Sequence, residues 1–334
     1  MKGKVKGKKV IRSGFRLVLI LVAIAPLGYT IYKEWPELQA SFQEISWGPF
    51  ILGMLLLIPV VTMVGTMPWL SLRHLGSHFS FPKATGIYFF TQIFKYLPGG
   101  IWAFPGRVAV YQLLGVGSAQ SVVSVFRETT AQFLGAAFIG LMGLLQGLSL
   151  SQNLRLAIGI GTLASAGVIL LIQMPWVWKL FSSFKLFSAS PFTVYSEVNP
   201  QQKNLAWLPW SLLGSLFYWF LYGLPFRMMA LSVYPQLEHL SWLEASSILT
   251  LAWCAGFVVV FAPAGIGVRE GTMALLLTNI MPLGSALSLA LLARVASVLA
   301  EGFWILITMI WVSRSEELSW KALRGMGDRK QLLG

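Results

Sequence analysis

"FAPAGIGVRE", Phe261–Glu270, sets a proline, two glycines, an arginine and a glutamate between long apolar runs. Proline and glycine break helices, and Arg and Glu are costly inside hydrocarbon. The interruption carries meaning only if the flanking sequence lies in a membrane, and composition says that it does. Of 334 residues, 56% are hydrophobic and 11% charged, against about 25% charged in a soluble domain. Apolar runs near the spanning threshold of about 20 residues recur at Gly14–Tyr32, Trp47–Leu70, Leu156–Trp176, Leu205–Ala230, Trp242–Ala262 and Ser285–Val312. Ser118–Leu148 is also long enough, although it carries Arg127 and Glu128. A soluble fold would have too little polar surface left to face water. The expected class is an all-α polytopic integral membrane protein.

The N-terminal stretch is basic and acid-free, with Lys2, Lys4, Lys6, Lys8, Lys9, Arg12 and Arg16 ahead of a long apolar segment. No small-x-small cleavage site is evident, so it reads as an uncleaved anchor. The net charge of +13 does not point to nucleic acid, because the basic residues fall where topology wants them. With a cytoplasmic N-terminus, 17 Lys and Arg lie inside and three, Lys33, Arg155 and Arg227, lie outside, which is the positive-inside pattern. Cys254 stands alone, so no disulfide is expected within the chain. His74, His78 and His239 have no ligand spacing, and Asp328 is the one aspartate. No metal, no cofactor and no Asp-based catalytic motif are expected.

A second interruption lies earlier, in "KYLPGGIWAFPGR", Lys95–Arg107. Each interruption has a second echo behind it: "GSAQSVVSVFR", Gly117–Arg127, and "GSALSLALLAR", Gly284–Arg294. Pro98 and Gly117 are 19 residues apart, and Pro263 and Gly284 are 21 apart. Break, Arg, Gly-Ser-Ala and a second Arg, in one order and at near-equal spacing, indicate an internal repeat. Counted from a cytoplasmic N-terminus, the first interrupted element starts from the cytoplasm and the second from outside. The halves, about 14–148 and 153–313, are therefore expected to have inverted topology.

In the first element Gly86–Leu97 and Ile101–Leu114 have 12 and 14 residues. At about 1.5 Å per residue neither reaches across a core of about 30 Å, so a re-entrant pair is expected. In the second, Trp242–Ala262 is long enough to span, and its reading as re-entrant rests on the repeat. The expected architecture is about six full spans plus two oppositely oriented re-entrant elements in one domain, residues 14–313. Residues 1–13 and 314–334 form the flanking cytoplasmic tails.

Irregular backbone at membrane depth survives only when buried in protein or lining a wet cavity. Pro98, Gly99 and Gly100, with Pro263, Gly265 and Gly267, should thus mark a protein-lined site. The outgoing half-helices begin there with unpaired N–H groups and a positive dipole end, which suits an anion. Arg107 and Arg269 fall in the first turns of those half-helices, and Arg127 and Arg294 lie ten residues into long helices. Four arginines are expected to converge, with Lys95 as a fifth cation, and Arg matches phosphate geometry well. Three carboxylates accompany them. Glu301 sits seven residues after Arg294 on one helix face; Glu128 and Glu270 each directly follow an Arg. The competing reading makes these groups ion pairs that hold the halves together, with Glu270 serving Arg269.

The motifs "LPGGIWAFPGR" with a following "FRE", and "APAGIGVREG" with a later "LLAR", resemble the transmembrane, flippase-like domain of the lysylphosphatidylglycerol synthetase family over about Gly14–Val312. The family's second motif usually reads Pro-Gly-Gly, where this chain has Ala264. The resemblance implies a stand-alone member without the soluble synthase domain, moving a charged lipid between leaflets of a plasma (inner) membrane. Expected partners are membrane lipids, an anionic phospholipid first, with no nucleic acid. A second copy or a cell-envelope enzyme are the protein partners left open. The alternative is an intramembrane enzyme or accessory subunit acting with polyprenyl-phosphate lipids or a cell-envelope glycosyltransferase.

The topology is testable by labelling. In a Cys254→Ala background, a Cys introduced at Ser190 should react with an impermeant thiol reagent only after the cells are opened. Labelling in intact cells would reverse the orientation.

Overall fold

The computed structural model describes residues 29–96, 102–146, 150–172, 206–259 and 262–314, and every regular element among them is helical. Most of the first expected span, the Pro98-Gly99-Gly100 break, the 179–203 loop and both tails lie outside the described residues. Eleven α-helices are numbered here in chain order. They are α1 (Trp35–Gln43), α2 (Trp47–Thr62), α3 (Thr66–His74), α4 (Phe81–Gln92), α5 (Ala103–Leu113), α6 (Ser118–Gln146), α7 (Gln152–Ile172), α8 (Leu208–Val233), α9 (Trp242–Val258), α10 (Val268–Leu277) and α11 (Leu283–Arg314). Five stretches are long and apolar enough to cross a membrane: Trp47–His74, Ser118–Gln146, Gln152–Leu171, Leu208–Val233 and Leu283–Val312. The protein is a polytopic helical membrane protein.

The first of these crosses as α2, a 3₁₀ turn at Met63–Gly65, and α3. Pro59 inside α2 removes one ladder donor, and the local tightening follows within a turn of it. Side chains also bond to carbonyls of this stretch. Thr66 Oγ1 donates to the Met63 carbonyl at 2.7 Å, and Trp304 Nε1, from α11, donates to the Ile58 carbonyl at 2.9 Å.

Two pairs of helices, α4 with α5 and α9 with α10, are shorter than the five long stretches. Helix α4 has 12 residues and α5 has 11. Nine consecutive residues of α4, Ala84–Gln92, are buried, as befits a helix apolar on all sides. Helix α9 is shorter than its apolar run. It stops at Val258 after 17 residues rather than running to Ala262, a length of about 25 Å. Val259 then leaves the helical region, and the chain turns at Pro263–Gly265.

Helices α6, α8 and α9 pack against one another as a triangle, and α2 and α11 flank α8. Between helices in lipid there is little hydrophobic drive, so close approach of small residues supplies the contact. Gly135 of α6 faces Ser215 of α8, Gly140 faces Leu251 and Thr250 of α9, and Gly223 of α8 faces Ser246 of α9. Hydrogen bonds tie the same seams. Trp219 Nε1 donates to the Gln132 carbonyl at 2.9 Å, and Ser247 Oγ donates to the Ile139 carbonyl at 2.8 Å. Trp219, Phe133 and Phe226 are fully buried where these seams meet.

The turn at Ile93–Tyr96, which follows α4, lies against the turn at Pro263–Gly265. The two interrupted elements therefore meet in the interior, on ground prepared by the α6–α8–α9 triangle.

A Cβ at Gly223 would collide with the Ser246 side chain and come within 2.9 Å of its Cα. Gly223→Ala should destabilise the detergent-purified protein by about 1–3 kcal/mol through overpacking. Gly167→Ala, where a Cβ meets nothing within 4 Å, should leave the thermal midpoint unchanged or raise it. Equal behaviour of the two variants would contradict the close α8–α9 contact.

Candidate functional site

Where the two turns meet there is a cavity of about 210 Å³. Its charged lining is Lys95, Arg107, Arg269, Arg294 and Glu301. The backbone of the second break forms part of the wall at Ala264 and Gly265, and Gly256 of α9 completes it. Aromatic rings make another part: Tyr218, Trp219 and Tyr222 from α8, and Trp253 and Phe257 from α9.

The second break is held by glycine and by one strained residue. Gly265 and Gly267 have φ of +70° and +87°. At Gly265 a Cβ would lie 2.9 Å from the Gly256 carbonyl oxygen, so this position has no room for a side chain. Ala264 has φ +52°, the one non-glycine residue with positive φ among the described residues. That conformation costs an L-residue about 1–2 kcal/mol, and it falls where the resembling family has glycine. Arg294 Nη2 donates to the Ala264 carbonyl at 3.0 Å, which clamps the turn from α11.

The carboxylates are partnered, and not as the sequence suggested. Glu128 forms a buried ion pair with Arg107 Nη1, and Arg107 Nε also donates to Thr91 Oγ1 at 3.0 Å. The Arg107 guanidinium lies 4.1 Å from the centre of the Tyr88 ring. Glu270 lies 3.4 Å from Arg294 Nε rather than against Arg269. Its other oxygen accepts from the Gly267 N–H at 2.7 Å, so the N-terminus of α10 is capped by its own third residue. Glu301 shares a helix with Arg294 but pairs with Lys95 Nζ at 2.5 Å, and Tyr96 Oη donates to the same oxygen at 3.2 Å. Side-chain exposure separates the pairs: 3% for both Arg107 and Glu128, but 19% and 24% for Lys95 and Glu301. The former is a buried structural pair, and the latter stands at the wetter edge of the cavity.

Two expectations are corrected. Arg127 does not join the others. It is buried against Trp207, with its guanidinium 5.2 Å from the ring centre, and it does not line the cavity. Helix geometry placed it near the middle of α6 but not on the face toward the breaks. Arg107 and Arg269, expected to play the same part, differ in the fold. Arg107 is committed to Glu128, whereas Arg269 makes no ion pair and no side-chain hydrogen bond with any described residue. Pro98, Gly99 and Gly100 lie outside the described residues, and Pro263 contributes backbone to the turn.

Sequence reading missed Tyr88, Gln92, Tyr218, Tyr222 and Trp253. The run "FYWFLY", Phe217–Tyr222, is unusually aromatic for a span and was the available signal. Hydropathy hides it, because rings count as apolar whether they face lipid or a cavity.

The geometry defines a class: a helical membrane protein with two interrupted elements around an interior cationic cavity. Within that class the chain belongs to the family described as "Lysylphosphatidylglycerol synthase TM region", whose model matches residues 14–302. No curated protein matches the chain.

Replacing Arg107 would strand Glu128, and breaking one side of a buried pair costs about 3–5 kcal/mol. Arg107→Ala should therefore lower thermal stability strongly, and Arg107→Ala with Glu128→Gln should recover most of the loss. Thermal unfolding of both purified variants checks this; a stable single variant would remove the structural role from the pair.

Proposed function

We propose that this chain is a lipid transporter without an enzymatic step, moving an anionic lipid between the two leaflets of a plasma membrane. The observation that carries this reading is Arg269. It lines an interior cavity beside Lys95, Arg294 and Glu301, and it makes no ion pair of its own with a described carboxylate. A cation with no direct ion pair in a low-dielectric interior is expensive, and an anionic headgroup would supply one. The headgroup phosphate would sit among Arg269, Arg294 and Lys95, and the acyl chains would remain in lipid. The family assignment supports the same direction, since its transmembrane domain carries no catalytic machinery of its own.

The distribution of Lys and Arg supports a cytoplasmic location for both termini. Inverted halves would give alternating exposure by rocking about the cavity. The cavity's wall combines the first turn, Ile93–Tyr96, with the second, Pro263–Gly265, so relative movement of the halves would open one side of it.

Reconstitution decides between the readings. Purified protein in liposomes should accelerate exchange of a fluorescent anionic phospholipid between leaflets, read as the fraction quenched by an impermeant reductant. Arg269→Ala should slow exchange about ten- to a hundredfold, the worth of one charge-assisted phosphate contact of about 1.5–3 kcal/mol, while thermal stability stays unchanged. Arg269→Lys should recover only part of the rate, because it restores charge without the planar fork. Arg155→Ala, away from the cavity, should have no effect. Chemical turnover of the lipid would make the chain an enzyme, and exchange that needs an added protein would make it an accessory subunit.

A further inference from the structure

Among the described residues, Glu301 is the one carboxylate that lines the cavity. Glu128 is buried against Arg107, and Glu270 is engaged by Arg294 and by the Gly267 N–H. Glu301 Oε2 instead faces Lys95 Nζ at 2.5 Å and accepts from the Tyr96 hydroxyl at 3.2 Å. Its side chain is partly exposed, as is that of Lys95, so water in the cavity reaches both. No other ion pair among the described residues joins the first turn, Ile93–Tyr96, to α11. The pair is thus a carboxylate open to water and a fastening between the first interrupted element and α11.

The groups that face Glu301 come from four elements besides its own. The first turn brings Lys95 and Tyr96, α10 brings Arg269, α4 brings Tyr88, and α8 brings Tyr218 and Tyr222; Arg294 lies on α11 itself. Helix α2 has no ionisable residue. Helix α1 meets α11 at Gly284, about 25 Å along the helix from Glu301. Three cations therefore surround one carboxylate, and an anion entering the cavity competes with it for them. Like charges placed together disfavour each other's charged form. Of the two, the carboxylate takes up a proton far more readily than a phosphodiester does.

Resting on the transporter reading above, we infer that Glu301 is a proton site and that the chain carries one proton with each anion. The anion's oxygen replaces Glu301 as the acceptor of Lys95 Nζ. A hydronium ion of the cavity water gives its proton to the freed Glu301 oxygen and leaves as water. On the far side the anion departs, the proton returns to water, and Lys95 pairs with Glu301 again. Passage is completed by two forms only: the one loaded with anion and proton, and the empty one with the pair closed.

The test uses the full chain in phosphatidylcholine liposomes holding a symmetric tracer of acyl-labelled fluorescent phosphatidylglycerol. The lumen is at pH 8 and the outside at pH 7, with the membrane potential held at zero by potassium and valinomycin. One proton per lipid draws the lipid toward the alkaline lumen until the inner-to-outer ratio approaches about tenfold, the ratio of proton activities. The fraction protected from an impermeant reductant reads this, whichever way the protein is inserted. Protein-free liposomes should stay even. Glu301→Gln mimics the protonated carboxylate, so it should exchange lipid and leave the distribution even under the same gradient. Glu238→Gln, on the exposed turn Pro235–His239, should keep the asymmetry.

Wild-type exchange with an even distribution overturns the coupling and leaves lipid transport standing. Asymmetry retained in Glu301→Gln takes the proton away from Glu301 and overturns the site. Loss of exchange in folded Glu301→Gln overturns it too, because that variant imitates the form that crosses. If the single variant does not fold, Lys95→Gln with Glu301→Gln leaves neither member of the pair stranded; an even distribution supports the site and a retained asymmetry overturns it. Gradient-driven uptake of inorganic phosphate with the lipid left even assigns the proton's companion to a solute and overturns the lipid. No exchange of lipid by folded wild type removes the transporter reading itself.

Discussion

The requirement that a charge inside a helical bundle find a counter-charge governs this molecule. An ion taken out of water loses several kcal/mol of solvation, and helices cannot return it while they face lipid. Lys95, Arg107, Arg127, Arg269 and Arg294 are five such cations. Three of them are held by glutamates drawn from other helices. Arg127 rests against the Trp207 ring, where ring quadrupoles attract a guanidinium. The packing of α5 on α6, of α10 on α11 and of the first turn on α11 follows these partnerships. Arg269 is left at the cavity, where a ligand can reach it.

The interrupted backbone is what lets charges meet at that depth. A continuous helix projects side chains outward from its axis and keeps its own polar groups satisfied. A broken one brings main chain to the site, and glycine allows another segment to lie directly on it. Gly256 and Gly265 touch through their backbones. Arg294 takes up the Ala264 carbonyl that the turn leaves exposed. Glu270 takes up the Gly267 N–H in the same way. The left-handed Ala264 is strained, and the clamp from α11 holds it. Thus Arg294 serves the architecture of the break as well as the charge of the cavity.

The two elements resemble each other in sequence but distribute their ion pairs in reverse. In the first, the short helix α5 supplies Arg107 and the long helix α6 supplies Glu128. In the second, the short helix α10 supplies Glu270 and the long helix α11 supplies Arg294. Each pair fastens a half-helix to the long helix that follows it. The reversal leaves the short-helix arginine of the second element, Arg269, with no counterpart to Glu128, because Glu270 is occupied by Arg294 and by the α10 N-terminus.

The sequence alone determined the class, the five long helices and the turn at Pro263–Gly265, because hydropathy, proline and glycine act locally. It also determined which charges lie in the interior, since Lys95, Arg107, Arg127, Arg269 and Arg294 sit within or beside apolar runs that must be buried. It picked out Glu128, Glu270 and Glu301 on the same ground. Partnership was decided by tertiary structure. Lys95 and Glu301 are 206 positions apart, and helical phase fixes the direction of a side chain but not the neighbour it meets. That Glu270 answers Arg294 and not the adjacent Arg269, that Arg127 turns to Trp207, and that an aromatic wall faces the charges all depend on how α6, α8, α9 and α11 cross. Those crossings are set by where small residues allow two backbones to approach, a property of pairs of helices that no single stretch of sequence contains.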